Sequence, residues 1–182
     1  MFLQTLIPPF SASAVIAGNS YIKTFDGKFY EFDGTSHGGC SYLLTADFMY
    51  KRFSVIANYK SDRRSSISVI SDNHIIEIGE PDSDDKDLIK ITLDKRNVEL
   101  PIAYDHTIAT REGSTVVVEN NEGLRVVCNM AIQMCSVTIS GWYFGKTGGL
   151  LGIYDNEPSN DWMTPQREVV DDIKTFATSW QV

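Results

Sequence analysis

Several features that define common protein classes are scarce in this 182-residue sequence. It has three cysteines, too few for a disulfide scaffold, and their spacing matches no zinc site. The 16 lysines and arginines are outnumbered by 24 aspartates and glutamates, and the net charge of −8 argues against nucleic-acid binding. No apolar run approaches the roughly 18 residues of a membrane-spanning helix. The remaining composition, 42% hydrophobic and 22% charged, is that of a globular domain.

Recognisable catalytic motifs are also absent from the sequence. The three histidines, His37, His74 and His106, lie in unrelated contexts. No Gly-x-Ser-x-Gly motif occurs, and no glycine-rich loop opens a helix to bind phosphate. Any acidic β-protein offers carboxylate pairs for glycoside hydrolysis, but nothing here selects one pair. A non-catalytic function is therefore favoured, with a carboxylate-based hydrolase as the weaker alternative.

Short alternating segments bounded by turns dominate the sequence. Residues 21–25 and 28–32 flank Asp26 and Gly27, a dipeptide that favours a two-residue hairpin turn with positive φ at both positions. Further strands are predicted at residues 41–44, 53–59, 67–70, 74–78, 88–93, 97–100, 115–119, 124–128 and 136–140. This series predicts a mainly β protein built as an antiparallel sandwich or barrel.

The two ends of the chain carry different signals. Near the C-terminus, Asp171 and Asp172 precede an apolar stripe at i, i+3, i+4 and i+7, which predicts a short helix packed on the sheets. Residues 1–20 are predicted to be a linker or arm, because two prolines interrupt their apolar stretch and no positive region marks a signal peptide. Residues 21–182 are predicted to form the domain, and we expect it to be part of a longer protein.

Three groups of residues have a chemistry that the pattern alone leaves open. Cys128 and Cys135 can meet across a hairpin, either as a disulfide or as two buried thiols, and Cys40 is left over. The acidic stretch at residues 81–87 is predicted to be a solvated loop rather than a metal site. A third group of oxygen-bearing side chains follows the glycine-rich residues 148–152.

This third group forms a dense loop of calcium-type ligands. Its members are Asp155, Asn156, Glu157, Asn160 and Asp161. Calcium takes about six to eight hard oxygen ligands from carboxylates, amides and backbone carbonyls. Pro158 and the lack of a glycine at the sixth loop position exclude an EF-hand. The loop is either a different kind of calcium site or an ordinary polar turn.

Two separated motifs resemble a known family. Thr-Phe-Asp-Gly-Lys-Phe-Tyr at residues 24–30, followed by Cys-Ser-Tyr-Leu-Leu at 40–44, resembles the opening of a von Willebrand factor type D domain. Gly-Leu-Leu-Gly at 149–152, with the loop at 155–161, resembles its closing motif. Residues 140–147 and 155–158 are similar to the large lipid transfer proteins of the apolipophorin or vitellogenin type. The resemblance covers residues 20–180 and implies a calcium-stabilised β-sandwich from a secreted multidomain protein.

The resemblance also implies a set of calcium ligands. Asp26 carries over from the early turn, Asp155, Asn160 and Asp161 match liganding positions in the late loop, and Glu157 offers its backbone carbonyl. Ile153 stands where mucin-type members often have asparagine, so the site is one ligand short, weaker or completed by water.

A second departure from the family concerns disulfides. Multimerising members have Cys-Gly-Leu-Cys where this chain has Gly-Gly-Leu-Leu at residues 148–151, so the usual partner of Cys40 is missing. This departure argues against disulfide-linked multimers through the segment and favours a local bridge between Cys128 and Cys135.

The function implied by the resemblance is that of a non-catalytic, calcium-binding structural or interaction module in a secreted lipid-transport protein. Its expected partners are other domains of the parent lipoprotein, with a receptor or a lipid surface as further candidates and no nucleic acid. The alternative is an extracellular adhesion or pathogen-recognition module, which should expose aromatic residues beside the calcium loop. Trp142, Tyr143 and Phe144 are predicted to be core residues rather than lipid contacts.

Overall fold

The computed structural model describes residues 11–18, 20–37, 39–60, 65–80 and 89–182, and the acidic stretch at 81–87 lies outside them. Within these residues the chain is mainly β, as predicted, with one short α-helix, α1 (Ile173–Ser179). The strands are β1 (Ser11–Ala17), β2 (Tyr21–Lys23), β3 (Phe29–Glu31), β4 (Ser41–Asp47), β5 (Phe53–Tyr59), β6 (Ser65–Ser71), β7 (His74–Gly79), β8 (Lys90–Leu93), β9 (Arg96–Asn97), β10 (Ile102–Tyr104), β11 (Thr107–Glu112), β12 (Thr115–Asn120), β13 (Leu124–Asn129), β14 (Met134–Ser140) and β15 (Thr147–Gly148).

The strands of the described residues form two antiparallel sheets. The first has the order β10-β11-β12-β13-β14-β1-β2-β3, and the second has the order β15-β4-β5-β6-β7-β8-β9. Their inner faces contribute to a single apolar cluster. In β5, for example, Phe53, Val55, Ala57 and Tyr59 are all buried, which confirms the predicted alternation.

The N-terminal segment differs from the expected arm. Residues 1–10 lie outside the described part, but Ser11–Ala17 forms β1 in the interior of the first sheet, between β14 and β2. Ala12, Ala14 and Ile16 face the core, whereas Ser11 and Ser13 are exposed. Alanine and serine have low strand propensity, so this period-two pattern was a weak signal in the sequence. The strand is an integral part of the sheet.

The first hairpin is present, but its turn is longer than predicted. The last paired residues of β2 and β3 are Lys23 and Phe29, and the amide of Thr24 donates to the carbonyl of Lys28 at 2.9 Å. Three residues, 25–27, lie between Thr24 and Lys28. Among these three, only Gly27 has positive φ (88°). The two-residue turn therefore does not form. The wider turn leaves Asp26 at its tip.

The C-terminal helix forms where its apolar stripe predicted. Asp172 caps α1, its Oδ2 accepting from the amide of Thr175 at 2.7 Å and from its hydroxyl at 2.6 Å. Phe176 and Ala177 are buried, and the Phe176 ring packs on Tyr30 with centroids 6.0 Å apart. Across the described ranges, no helix has the length and apolar character needed to traverse a bilayer.

The local cysteine pair forms the predicted disulfide. Cys128 in β13 and Cys135 in β14 are directly opposed in the strand register, with Cα atoms 4.0 Å apart. Both residues are buried. The sulfur of Cys40 accepts a hydrogen bond from Nε2 of Gln181 at 3.2 Å.

Candidate functional site

Backbone hydrogen bonds bring the glycine-rich segment against the first hairpin and β4. The amide of Leu151 donates to the carbonyl of Leu44 at 2.8 Å, and its own carbonyl accepts from the amide of Phe25 at 3.0 Å. The hydroxyl of Tyr30 donates to the carbonyl of Leu150 at 2.6 Å. The late loop at residues 153–161 follows directly and therefore begins beside the turn that carries Asp26.

Asp26 connects the early turn to the late loop. Its Oδ2 accepts hydrogen bonds from the backbone amides of Asp155 at 3.2 Å and Glu157 at 2.8 Å. Its Oδ1 is buried and has no hydrogen-bond partner among the described residues. One oxygen of Asp26 therefore holds the loop, while the other is withdrawn from water and accepts no hydrogen bond from the part of the chain that the structure describes.

Within the loop, Asp155 connects two other predicted ligand residues. Its Oδ1 accepts from the amide of Glu157 at 3.0 Å, and its Oδ2 accepts from Nδ2 of Asn160 at 2.9 Å. The Oδ1 of Asn160 is buried and also lacks a hydrogen-bond partner in the described part of the chain. The Glu157 carboxylate turns toward Ser159, accepting from its hydroxyl at 2.6 Å, and the Glu157 backbone carbonyl, the predicted ligand, accepts from the amide of Asn160 at 3.2 Å.

Asp161 lies deepest in this group, with only 1% of its surface exposed. Its Oδ2 accepts from the Thr24 hydroxyl at 2.6 Å, and its Oδ1 accepts from the amide of Ile153 at 3.2 Å. Gly152 has φ +78°, and a Cβ at this position would collide with the Asp161 carboxylate. The early turn and the glycine-rich segment are thus both shaped around this carboxyl group.

Burial raises the pKa of two carboxyl groups, one in the early turn and one in the late loop. Burial raises the pKa of Asp161 to about 6, with the charge of Asp26 acting in the same direction and the Thr24 hydrogen bond opposing it. Burial also raises the pKa of Asp26 above its ordinary value, against the lowering effect of the backbone amides of the loop. Two partly desolvated carboxyl groups of like charge therefore lie close to each other, an arrangement that a bound cation would relieve.

The donor set is compatible with a hard cation. Asp26 Oδ1 and Asn160 Oδ1 are buried oxygens for which the described residues supply no hydrogen bond, although such groups normally have one. Carboxylate and amide oxygens are typical calcium ligands, to which backbone carbonyls and water are added. Among the described residues, however, no three His, Cys, Asp or Glu side chains are grouped as a metal centre. A calcium ion at this position would therefore need amide and backbone carbonyl oxygens as ligands in addition to the carboxylates.

The five predicted ligand residues are brought together by the fold. Direct hydrogen bonds join Asp26 to Asp155 and Glu157, and Asp155 to Asn160, while Asp161 follows Asn160 in the chain. Their role as metal ligands stays a prediction. Thr24 was considered in the sequence only as part of the family motif at residues 24–30, and its contact with Asp161 was not predicted. A polar residue two positions before a candidate ligand was the available signal.

Aromatic residues beside the loop are mostly covered. Tyr154 is buried, and Trp162 is half-buried under the Lys28 ammonium, which lies 4.0 Å from the ring centroid, and beside the Phe176 ring. Of the three aromatic residues predicted to be in the core, Tyr143 is fully buried and Phe144 is half-buried. Trp142 instead has 40% of its surface exposed, so the core prediction is wrong for that residue.

Comparison with known proteins places the chain among domains of much larger molecules. It is 33% identical to Apolipophorins of Locusta migratoria over 98% of this chain and 5% of that protein. It is 27% identical to Apolipophorins of Manduca sexta, over 96% of this chain and 5% of that protein. It is 29% identical to human Mucin-2, over 91% of this chain and 3% of that protein. The chain thus spans only a few per cent of the length of these relatives.

The match at the level of the family includes the hairpin, the late loop and most of both sheets. The family model of the von Willebrand factor type D domain matches residues 14–168, well over half of the chain. It begins inside β1 and extends past Asp161, so it contains both halves of the site. The chain belongs to the von Willebrand factor type D domain family.

Proposed function

We propose that this domain is a non-catalytic, calcium-binding structural module of a secreted, lipid-carrying protein. The observation that carries the proposal is the buried Oδ1 of Asp26, which has no hydrogen-bond partner within the described ranges although its carboxylate lies between the early turn and the late loop. A buried carboxylate oxygen without a donor is costly, and a cation would compensate for it.

Calcium would act by joining two segments that are distant in the chain. Asp26, Asp155, Asn160 and Asp161 would supply side-chain oxygens, and Glu157 would supply its backbone carbonyl. If calcium binds only the folded state, it stabilises that state by about 2.7 kcal/mol at a hundredfold excess over Kd. Ile153 contributes its backbone amide to Asp161 and no side-chain oxygen, so we expect a modest affinity.

Secretion and a lipid-carrying parent are supported by two independent observations. Disulfides persist in oxidising compartments, and this domain contains one between two buried cysteines. The similarity to apolipophorins extends over 98% of the chain for the locust protein. The parent protein would provide the neighbouring domains as structural partners, with a receptor or a lipid surface as additional contacts.

Two other functions have less support in the geometry. An adhesion or pathogen-recognition module should expose aromatic residues beside the calcium loop, but Tyr154 is buried and Trp162 is half-covered by Lys28. A hydrolase needs an acid and a base that face a substrate. In this loop Asp161 has only 1% of its surface exposed and therefore does not face a substrate.

A calorimetric titration with calcium tests the proposal. The wild type should bind one ion, and Asp26→Asn should bind more weakly because it removes one negative charge while keeping an oxygen that can accept from the loop amides. Asp171→Asn is the matched control, since Asp171 is exposed and lies ten residues after Asp161. Ile153→Asn should tighten binding by adding a side-chain oxygen. Absence of heat in the wild type, with Ile153→Asn equally silent, would overturn calcium as the ligand.

A further inference from the structure

A compact group of apolar, aromatic and basic side chains lies exposed at the turn between β4 and β5. Phe48, Met49 and Tyr50 are consecutive and have 54%, 63% and 47% of their surfaces exposed. Trp142 adds its exposed ring, stacked on Tyr50 with centroids 6.1 Å apart. Together with Lys51, Arg52 and Lys146, these residues form what we call the aromatic–basic turn. A contiguous patch of exposed apolar side chains often marks an interaction site.

A buried carboxylate holds the backbone of this turn. Asp47, with 2% of its surface exposed, accepts hydrogen bonds at Oδ1 from the amides of Met49 at 3.0 Å and Tyr50 at 3.1 Å. Its Oδ2 accepts from the amide of Arg52 at 3.4 Å. The amide of Phe48 donates to the carbonyl of Lys146 at 3.0 Å, which attaches the turn to the neighbouring segment. The exposed side chains therefore project from a fixed backbone, so little backbone entropy is lost when they are covered.

Cations surround the aromatic rings of the turn. The Lys146 ammonium lies 4.4 Å from the Trp142 ring centroid and 5.0 Å from that of Tyr50. The Arg52 guanidinium lies 5.4 Å from the Tyr50 ring and also pairs with Glu122 at 3.1 Å. Lys51 is exposed at the same turn. This concentration of positive charge stands out in a chain whose net charge is −8.

We infer that the aromatic–basic turn is a docking surface for a phospholipid layer. Phe48 and Met49 would enter its apolar region, Tyr50 and Trp142 suit the boundary with water, and Lys51 and Lys146 would pair with phosphate groups. A phospholipid presents phosphate directly beside acyl chains, so a single ligand matches both the cations and the apolar side chains. The inference deepens the proposed function, because it names the contact that a module of a lipid-carrying protein would make.

Co-sedimentation with vesicles tests this inference without relying on calcium. The 182-residue chain is mixed, in the presence of chelator, with vesicles of phosphatidylcholine alone and of phosphatidylcholine mixed with phosphatidylserine. We expect binding to both, and tighter binding to the mixed vesicles at low salt. Met49→Glu should weaken binding by about tenfold or more, since it removes an inserted apolar side chain. Lys51→Glu should weaken binding mainly to the mixed vesicles.

Matched controls separate docking from a general effect of charge. Ile132, in the turn between β13 and β14, has 60% of its surface exposed, and Ile132→Glu should bind as the wild type does. Lys174→Glu, at an exposed position of α1, should do the same. Failure of the wild type to bind either vesicle, or equal losses in Met49→Glu and Ile132→Glu, would overturn the inference and leave a protein partner as the occupant of the turn. Because chelator is present throughout, neither result depends on the calcium site.

Discussion

The hydroxyl of Thr24 donates a 2.6 Å hydrogen bond to Oδ2 of Asp161, joining residues 137 positions apart in the sequence. The same hydroxyl accepts from the amide of Lys28 at 2.8 Å, so the early turn is held at both ends by one side chain. Thr24 is fully buried and Asp161 nearly so. This contact fastens the first hairpin to the late loop through the protein's own groups.

Replacing Thr24 by valine should therefore destabilise the domain. Thr24→Val keeps the volume of the side chain but removes the donor to a buried carboxylate and the acceptor for Lys28. Hydrogen bonds to charged groups contribute about 1.5–3 kcal/mol, and we expect a loss of that size in the free energy of unfolding. Urea unfolding in chelator measures it. Thr24→Ser, which retains the hydroxyl, should lose clearly less, and equal losses in the two variants would refute the role of the hydrogen bond.

Gly152→Ala should be more harmful than an alanine at another glycine with positive φ. At Gly152 the added Cβ meets the Asp161 carboxylate, whereas at Gly113, with φ +59°, it meets nothing within 4 Å. Both variants incur the cost of a left-handed conformation, about 1–2 kcal/mol, but only Gly152→Ala displaces Asp161. The difference between the two in urea unfolding reports this displacement. If Gly113→Ala were the more destabilised of the two, the close contact would not matter.

The disulfide should contribute measurably to stability. Cys128 and Cys135 close a short loop, for which the chain-entropy relation gives about 2–3 kcal/mol. The double variant Cys128→Ala/Cys135→Ala should unfold at correspondingly lower urea. Reducing agent should shift the wild-type transition toward that of the variant and leave the variant unchanged. A wild-type transition that is insensitive to reduction, in a sample whose thiol count confirms cleavage, would contradict the prediction.

His74 gives the domain a predictable dependence on pH. Its Nδ1 lies 2.7 Å from Oδ2 of Asp94 and its Nε2 lies 3.6 Å from Asp105, with Asp72 contributing at longer range. The Asp94 hydrogen bond and these charges raise the pKa of His74 above its ordinary 6.5, against an opposing effect of burial. A raised pKa in the folded state stabilises the domain below pH 6.5, and this contribution is lost as pH rises through the folded-state pKa.

The unfolding free energy should therefore decline in the wild type as pH rises above about 6.5. His74→Gln, which keeps a hydrogen-bonding side chain but cannot become charged, should show a flatter profile over the same range. Chemical unfolding at several pH values, in chelator, measures both profiles. An identical slope in wild type and variant would assign the effect to another group.

The sequence predicted those elements whose signals were local. β5 alternates apolar and polar residues, and α1 combines a capping aspartate with an apolar stripe, so both lie where expected. Four strands, β1, β10, β11 and β15, were missed for physical reasons. β11 buries Thr107 and Ala109 and exposes Ile108, so its residues do not alternate as an apolar core face would. β1 is built on alanine and serine, and the short β10 and β15 acquire their structure only by pairing with neighbouring strands.

The candidate site was only partly predictable. The loop at residues 155–161 was found through its density of oxygen-bearing side chains, and Asp26 through the resemblance to a family; the fold brings them together through hydrogen bonds. The contact of Thr24 with Asp161 depends on a long-range approach that no local pattern encodes. The exposure of Trp142 was wrongly predicted because aromatic residues in a β-protein are usually buried, whereas this ring stacks on Tyr50 at the surface.

A pair of melting curves tests the central claim, that calcium fastens the late loop to the first hairpin. The 182-residue chain is melted in millimolar calcium and in chelator, beside Asp26→Asn and the control Asp171→Asn. The account predicts a melting temperature several degrees higher in calcium for the wild type and for Asp171→Asn, and little or no rise for Asp26→Asn. Identical wild-type curves in calcium and chelator would contradict it, and so would a full calcium response in Asp26→Asn.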